Sequence, residues 1–259
     1  MQQLLAQFSE QQLVGFFAVL ARVSPLFALA PLFSSKSVPP RVRGIVAVAL
    51  AIGLSPIVAK GADLPTDPWG LGGLITKELL VGAGFAFTIA ALFAALEVAG
   101  SFLDTLIGFS FGALVDPLTG NQNAVLARLY SLIGLMIFIA IGGDTLVIQG
   151  LARTYEVIPL DQAPDIDTLV AGAAHAFSSI FLSAIQVAGP VILALILTDA
   201  AFGVVSRVVP QLNVFAVGFP AKVTVGLLLI GVTMPFVGGW LAGELQQSVQ
   251  QALQTLRVA

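Results

Sequence analysis

Six long apolar runs, at about residues 13–33, 42–59, 79–99, 129–141, 177–197 and 223–241, restrict this chain to very few architectures. A helix that crosses a hydrocarbon layer needs about 20 apolar residues, with about 17 as the lower limit. The first, second, third, fifth and sixth runs reach that length; the fourth does so only if extended back over Arg128 to Ala124. None alternates with the two-residue period of a strand, and their Ala, Leu and Gly content suits close helix contacts in an apolar medium. The expectation is therefore an all-α protein, a hydrophobic multi-helix hairpin bundle. At 259 residues it reads as a single domain over 1–259.

Composition supports that class and removes others. The hydrophobic fraction is 58%, charged residues make up 10%, and the mean hydropathy is +1.00. A soluble domain averages about 45–50% apolar and about 25% charged, so this chain lacks the charge to coat a globule. A net charge of −3 without any Lys/Arg run argues against nucleic acid. There are no cysteines and one histidine, His175, so neither a thiolate site nor a zinc site is expected. Ser178 and Ser179 follow His175 at helical spacing but no acid completes a set, and GAGFAF at 82–87 lacks the third glycine of a phosphate loop. The chain reads as non-enzymatic, with no cofactor. The apolar run ending at Ala30 imitates a secretory signal. However, no Lys or Arg precedes it, Arg22 interrupts it and Pro31 follows it, so a retained segment is expected.

Charge in the connections suggests an orientation. The stretch SSKSVPPRVRG at 34–44 carries Lys36, Arg41 and Arg43 and reads as a cytoplasmic loop. The connections after runs one, three and five hold six basic residues, and the opposite ends hold four. This bias places both termini, and the 143–169 connection, outside. Arg22 lies within the first run, where it snorkels, pairs, or faces a partner or a wet cavity. Pro25 and Pro31 are expected to kink or end that helix.

Two connections are unlike ordinary linkers. The first is 108–123, GFSFGALVDPLTGNQN, where Gly108 and Gly112 flank Phe109, Ser110 and Phe111, and Asp116-Pro117 imposes an extended or turn conformation. Its first half is too apolar for water, and a lipid-facing loop cannot leave its backbone unpaired. It should fold back into protein, lining or closing a cavity. Just before it, Glu97 and Asp104 stand seven residues apart, on one face of a continuous helix. They are either an acid–base pair or two groups separately solvated or paired. The second connection, 198–222, mixes charged Asp199, Arg207 and Lys222 with helix-breaking Pro210 and Pro220, amides Gln211 and Asn213, and apolar Val214, Phe215, Val217 and Phe219. It reads as a structured turn buried against something, with its charges paired.

Taken together, RVVPQLNVFAVGFPAK preceded by LTDAAFGVVS, GFSFGALVDPLTGNQNAVLARL, and RVSPLFALAPLFSSKSVPPRVRG resemble the FliR family of flagellar type III export-gate proteins, related to the SctT components of injectisomes. The resemblance covers essentially the whole chain, and Gly218-Phe219-Pro220 inclines it to the flagellar branch. A departure is Gly142-Gly143-Asp144, where relatives often carry His after the glycines. The resemblance implies a structural, channel-forming subunit built into a helical export gate. One copy would close a ring of five FliP and four FliQ subunits, beside other export-apparatus membrane proteins. The gate would lie in the flagellar basal body of the inner membrane, largely above the membrane plane, with unfolded flagellar proteins as cargo. A plug loop in the channel maps onto Gly108, Phe109, Ser110, Phe111, Gly112, Asp116 and Pro117. Arg207, Pro210, Gln211, Asn213, Gly218, Phe219, Pro220 and Lys222 would shape a turn needed for assembly. An injectisome gate subunit is the alternative, and a small-molecule membrane transporter a more remote one.

Overall fold

The protein is described from a computed structural model covering residues 10–34, 38–110, 124–211 and 213–257. Among these residues it is helical throughout, with no strand: α1 Glu10–Leu29, α2 Pro31–Ser34, α3 Pro40–Val58, α4 Pro68–Ile107, α5 Val125–Ala140, α6 Gly143–Val157, α7 Ile166–Val208 and α8 Val214–Arg257. Apart from Ala30, Ala59 and Ile141 at helix ends, all six apolar runs are helical, so the expected fold class holds.

Helix ends follow local chemistry. Pro31, Pro40 and Pro68 open α2, α3 and α4, where the missing N–H has no intrahelical role and the fixed φ is already helical. Asp67 accepts from Gly70 N–H at 2.8 Å at the start of α4, and Asn213 accepts from Ala216 N–H at 3.1 Å at the start of α8. At α7 the Asp165 carboxylate accepts from the Thr168 hydroxyl at 2.5 Å and from two backbone N–H groups. The hydroxyl bond is the main cause that holds its pKa below the ordinary carboxylate value. Each side chain satisfies a donor that the first helical turn leaves orphaned.

Two sequence expectations fail here. Pro220 does not break helix; like Pro25, Pro56, Pro190 and Pro235 it lies within one. In apolar surroundings, neighbouring helices and local adjustment can offset the lost bond. The 143–169 connection is not simply a loop, because it contains α6. That helix meets α5 at a 74° bend, made possible by Gly142 at φ 69°, a left-handed conformation that glycine adopts without strain.

The chain divides into two compact units, each assembled from discontinuous stretches. Unit one comprises residues 1–91, 142–177 and 245–259, and its core holds Val19, Val23, Leu26, Val81, Phe85, Leu151 and Ile158. Here α3 packs on α1, and Gly15 admits Ala59 so closely that a Cβ would meet it at 2.6 Å. Unit two comprises 92–141 and 178–244 and buries Leu96, Leu103, Ile107, Phe138, Val187, Val191, Leu195 and Val237. Phe93 and Phe138 meet edge to face at 5.3 Å. Among the described residues, five helices are long and apolar enough to cross a membrane, and the bent α5–α6 pair would make a sixth span. Three of them contain the third, fifth and sixth runs whole, the first run continues past α1 into α2, the second ends one residue beyond α3, and the short fourth run falls in the bent pair.

Candidate functional site

The neck of the 108–123 connection is built by α4 and α5 in unit two. At the end of α4, Gly108 takes φ 103°, a conformation that favours glycine, and donates its N–H to Asp104 O at 3.1 Å. Ser110 N–H reaches the same carbonyl at 3.4 Å. The Asp104 carboxylate meanwhile accepts from Leu126 N–H at 3.0 Å and Ala127 N–H at 3.1 Å, so it caps the first turn of α5 from another helix. One turn earlier, Gly100 lets the α5 backbone approach α4; a Cβ there would collide with Ala127 Cα, Ala127 N and Leu126 O. Gly108 is buried, Phe109 half-buried and Ser110 exposed. Phe111, Gly112, Asp116 and Pro117 lie outside the described residues.

This geometry decides between the two readings of Glu97 and Asp104. Asp104 is 1% exposed and engaged with helix ends, while Glu97 is exposed to solvent. They occupy different environments and do not form an acid–base pair.

The α7–α8 turn is more open than the sequence suggested. Val209 N–H bonds Val205 O, Pro210 and Gln211 turn the chain, and Asn213 caps α8. Lys222 does have a partner, Asp199, with Nζ and a carboxylate oxygen 2.9 Å apart; the side chains are 20% and 50% exposed. Gly218 is buried, but Arg207, Pro210 and Gln211 are exposed, and Val208, Val217 and Phe219 present 74%, 47% and 39% of their surface.

Unit one holds a charged cluster that sequence reasoning largely missed. Arg22 of α1 and Glu78 of α4, both 0% exposed, pair through two bonds, Nε to Oε2 at 2.5 Å and Nη2 to Oε1 at 3.0 Å. Arg22 also donates to the Thr154 hydroxyl at 3.3 Å and to Ile158 O at 2.9 Å, and its guanidinium lies 4.1 Å from the centre of the Tyr155 ring. Lys77 sits 3.2 Å from Glu78 and donates to Leu160 O and Gln162 O at 2.6 and 2.8 Å. The last turn of α6 contains no basic residue. Arg22 and Lys77 supply that charge from α1 and α4, where a cation complements the carbonyl end of a helix. Gly82 completes the contact, since a Cβ there would strike the Arg22 carbonyl. Of the alternatives for Arg22, pairing is the one realised. The missed signal was Glu78, a carboxylate abutting the third apolar run, opposite in sign to a lone arginine inside the first.

No group of three or more His, Asp or Glu side chains suited to a metal occurs among the described residues. His175 is exposed. What fold and sites define together is a multi-span helical membrane protein whose internal charges brace helices. Comparison with known proteins takes this further. Residues 13–248 match the family of bacterial export proteins, family 1, and the chain belongs to it. It is 32% identical to the flagellar biosynthetic protein FliR of Escherichia coli, over 86% of this chain and 85% of that protein. It is 33% identical to FliR of Bacillus subtilis, over 86% and 87%. Similarity extends to the surface presentation of antigens protein SpaR of Shigella sonnei, 26% identical over 82% of each chain. The expected FliR-family resemblance is thereby established.

Proposed function

We propose that this bacterial export protein is a structural, channel-forming subunit of the flagellar type III export gate, closing a ring of FliP and FliQ subunits and plugging its channel with 108–123. The 32% and 33% identities to FliR of Escherichia coli and Bacillus subtilis, against 26% to SpaR of Shigella sonnei, favour the flagellar over the injectisome branch. One structural observation carries the assembly reading. On α7, large apolar side chains are exposed from Phe177, at 58%, to Val208, at 74%, on both sides of half-exposed Asp199. At helical rise that strip is about 46 Å long, against a hydrocarbon core of about 30 Å. Lipid alone leaves part of it in water, so apolar helices of other subunits are the fitting cover. A small-molecule transporter would call for interrupted helices in corresponding positions of two halves; one bent pair, α5–α6, occurs among the described residues.

The proposed partners are five FliP and four FliQ subunits for one copy of this chain, in the inner membrane at the basal body, with unfolded flagellar proteins as cargo. The loop would act by filling a narrow pore with Phe109 and Phe111, since a hydrophobic constriction resists ions by dewetting. It contributes no chemistry. The test is deletion of residues 110–119 in cells producing the complete gate, with complex yield and ion conductance read together. An assembled, leaky complex with one copy of this chain per particle is expected. An assembled complex that stays tight rejects the plug, and failure to assemble makes the stretch a brace instead.

A further inference from the structure

Helix α3 gives little of itself to unit one. Of its 19 residues only Ala47 and Ala51 are buried, while Val42, Ile45, Val46, Val48, Ile52 and Ile57 are exposed. At 3.6 residues per turn those six positions cover about half the circumference, whereas a helix that packs on protein presents a stripe about 100° wide. Fluid acyl chains can cover so wide an arc. The length agrees, about 28 Å against a hydrocarbon core of about 30 Å. Exposed cations stand at both ends, Arg41 at one and Lys60 at the other, where long basic side chains reach the phosphates of the interface. At the Lys60 end the chain turns back in a packed connection. Ala59 and Leu64 both lie against Gly15 of α1, Leu64 is buried, and Pro65 lies against Gly70. Asp67 caps the first turn of α4, and from that fixed turn Trp69 presents 91% of its surface. Beside it Thr66, Asp67, Pro68, Gly72, Gly73 and Thr76 are exposed, and a Cβ at either glycine would meet nothing within 4 Å. A protein hot spot needs a packed surround that excludes water, and Trp69 has none. An isolated indole where an apolar span ends suits the headgroup layer, in which Trp is enriched because its ring is apolar and its N–H is wet. We infer that Trp69 lies in the phospholipid headgroup layer, at the end of the α3 span marked by Lys60. The inference rests on α3 crossing the bilayer and not on the plug.

The chain has no cysteine, so Ile52→Cys, Lys60→Cys and Trp69→Cys each give it one site for a nitroxide. Complete gates carrying one such chain are reconstituted in vesicles of phosphatidylethanolamine and phosphatidylglycerol, with a gate carrying the parent chain as background. Spin relaxation is read with oxygen, which concentrates in hydrocarbon, and with a water-soluble nickel chelate. The Ile52→Cys label is expected to respond to oxygen alone, and the Lys60→Cys and Trp69→Cys labels to both reagents in the same intermediate ratio. A Trp69→Cys label that responds to nickel alone lies in water, one that responds to oxygen alone lies among acyl chains, and one that responds to neither lies under protein; each result overturns the inference. So does a Trp69→Cys chain that fails to join the gate, since position 69 would then be packed against a subunit. An Ile52→Cys label that responds to neither reagent removes lipid from α3 and the inference with it. A benzophenone amino acid at position 69 keeps an aromatic ring there. In cells it should photocrosslink to phospholipid, and adducts to another subunit instead would reject the assignment. Complex yield separates the two levels of failure: if the parent chain itself enters no gate, the proposed function falls, whereas a normal gate with Trp69 under protein or in water removes only the headgroup contact.

Discussion

At the scale of single residues, the balance between paired and unpaired polar groups gives the sharpest expectations. Arg22 and Glu78 are fully buried, and each satisfies the other through two bonds. Removing one member takes the main counter-charge from its buried partner, leaving Glu78 with Lys77 alone or Arg22 with none. Breaking such a pair costs about 3–5 kcal/mol, whereas replacing both with apolar side chains of similar volume is often close to neutral. Arg22→Met and Glu78→Met should each lower thermal stability of the purified chain sharply, and the double variant should recover most of the loss. Additive losses in this cycle would mean that the two groups do not depend on each other. Tyr130 presents the converse case. Its hydroxyl is buried and meets no hydrogen-bond partner among the described residues. An unsatisfied buried polar group costs about 1–3 kcal/mol, so Tyr130→Phe should leave stability unchanged or raise it. A clear loss of stability would show that the hydroxyl is bonded in the working protein.

At the scale of elements, glycine has opposite value at different helix contacts. Gly100 faces the α5 backbone, which cannot yield cheaply, while a Cβ added at Gly53 on α3 would meet nothing within 4 Å. Gly100→Ala should therefore destabilise the isolated chain by about 1–3 kcal/mol through overpacking. Gly53→Ala should stabilise it by up to about 1 kcal/mol through helix propensity. Chemical denaturation reads both, and equal signs would reject the contact. Such distinctions were not legible beforehand, because GxxxG-like spacing is frequent among 26 glycines and does not say what each one faces. Helix existence was legible wherever apolar runs were long. Helix extent was not: α4 begins at Pro68 and α8 continues to Arg257, well beyond runs at 79–99 and 223–241. For α6 a signal existed but was overlooked. Val147, Gly150, Leu151, Thr154 and Tyr155 are buried at helical spacing, while Asp144 and Glu156 made the segment look like a polar loop. The Asp104 cap had no such signal, since its partners stand 22 and 23 residues away.

At the scale of the whole molecule, the exposed apolar surfaces of α3 and α7 differ in length, and length bears on what could cover each. Helix α3 has 19 residues, about 28 Å, which matches a hydrocarbon core of about 30 Å. It exposes Ile45, Ile52 and Ile57 at 68%, 60% and 73%, with Arg41 and Arg43 at one end and Lys60 just past the other. The α7 strip is too long for the same layer even at a tilt of about 40°, which lengthens the path through it to about 39 Å. Sequence hydropathy cannot separate these cases, since lipid-facing and helix-facing surfaces are both apolar, and only helix extent reveals the mismatch. A bulky substitution separates them, because fluid acyl chains accommodate an indole and a packed subunit interface does not. Leu193 and Leu197 are 60% and 61% exposed and lie one helical turn apart on α7. Leu193→Trp and Leu197→Trp should leave membrane insertion and the amount of this chain unchanged, yet sharply reduce co-purification of the proposed FliP-type and FliQ-type partners. Ile52→Trp on α3 should leave both unchanged. Were Ile52→Trp to abolish co-purification while the α7 variants assembled normally, lipid would have to cover α7 and protein α3, and the length argument would be reversed.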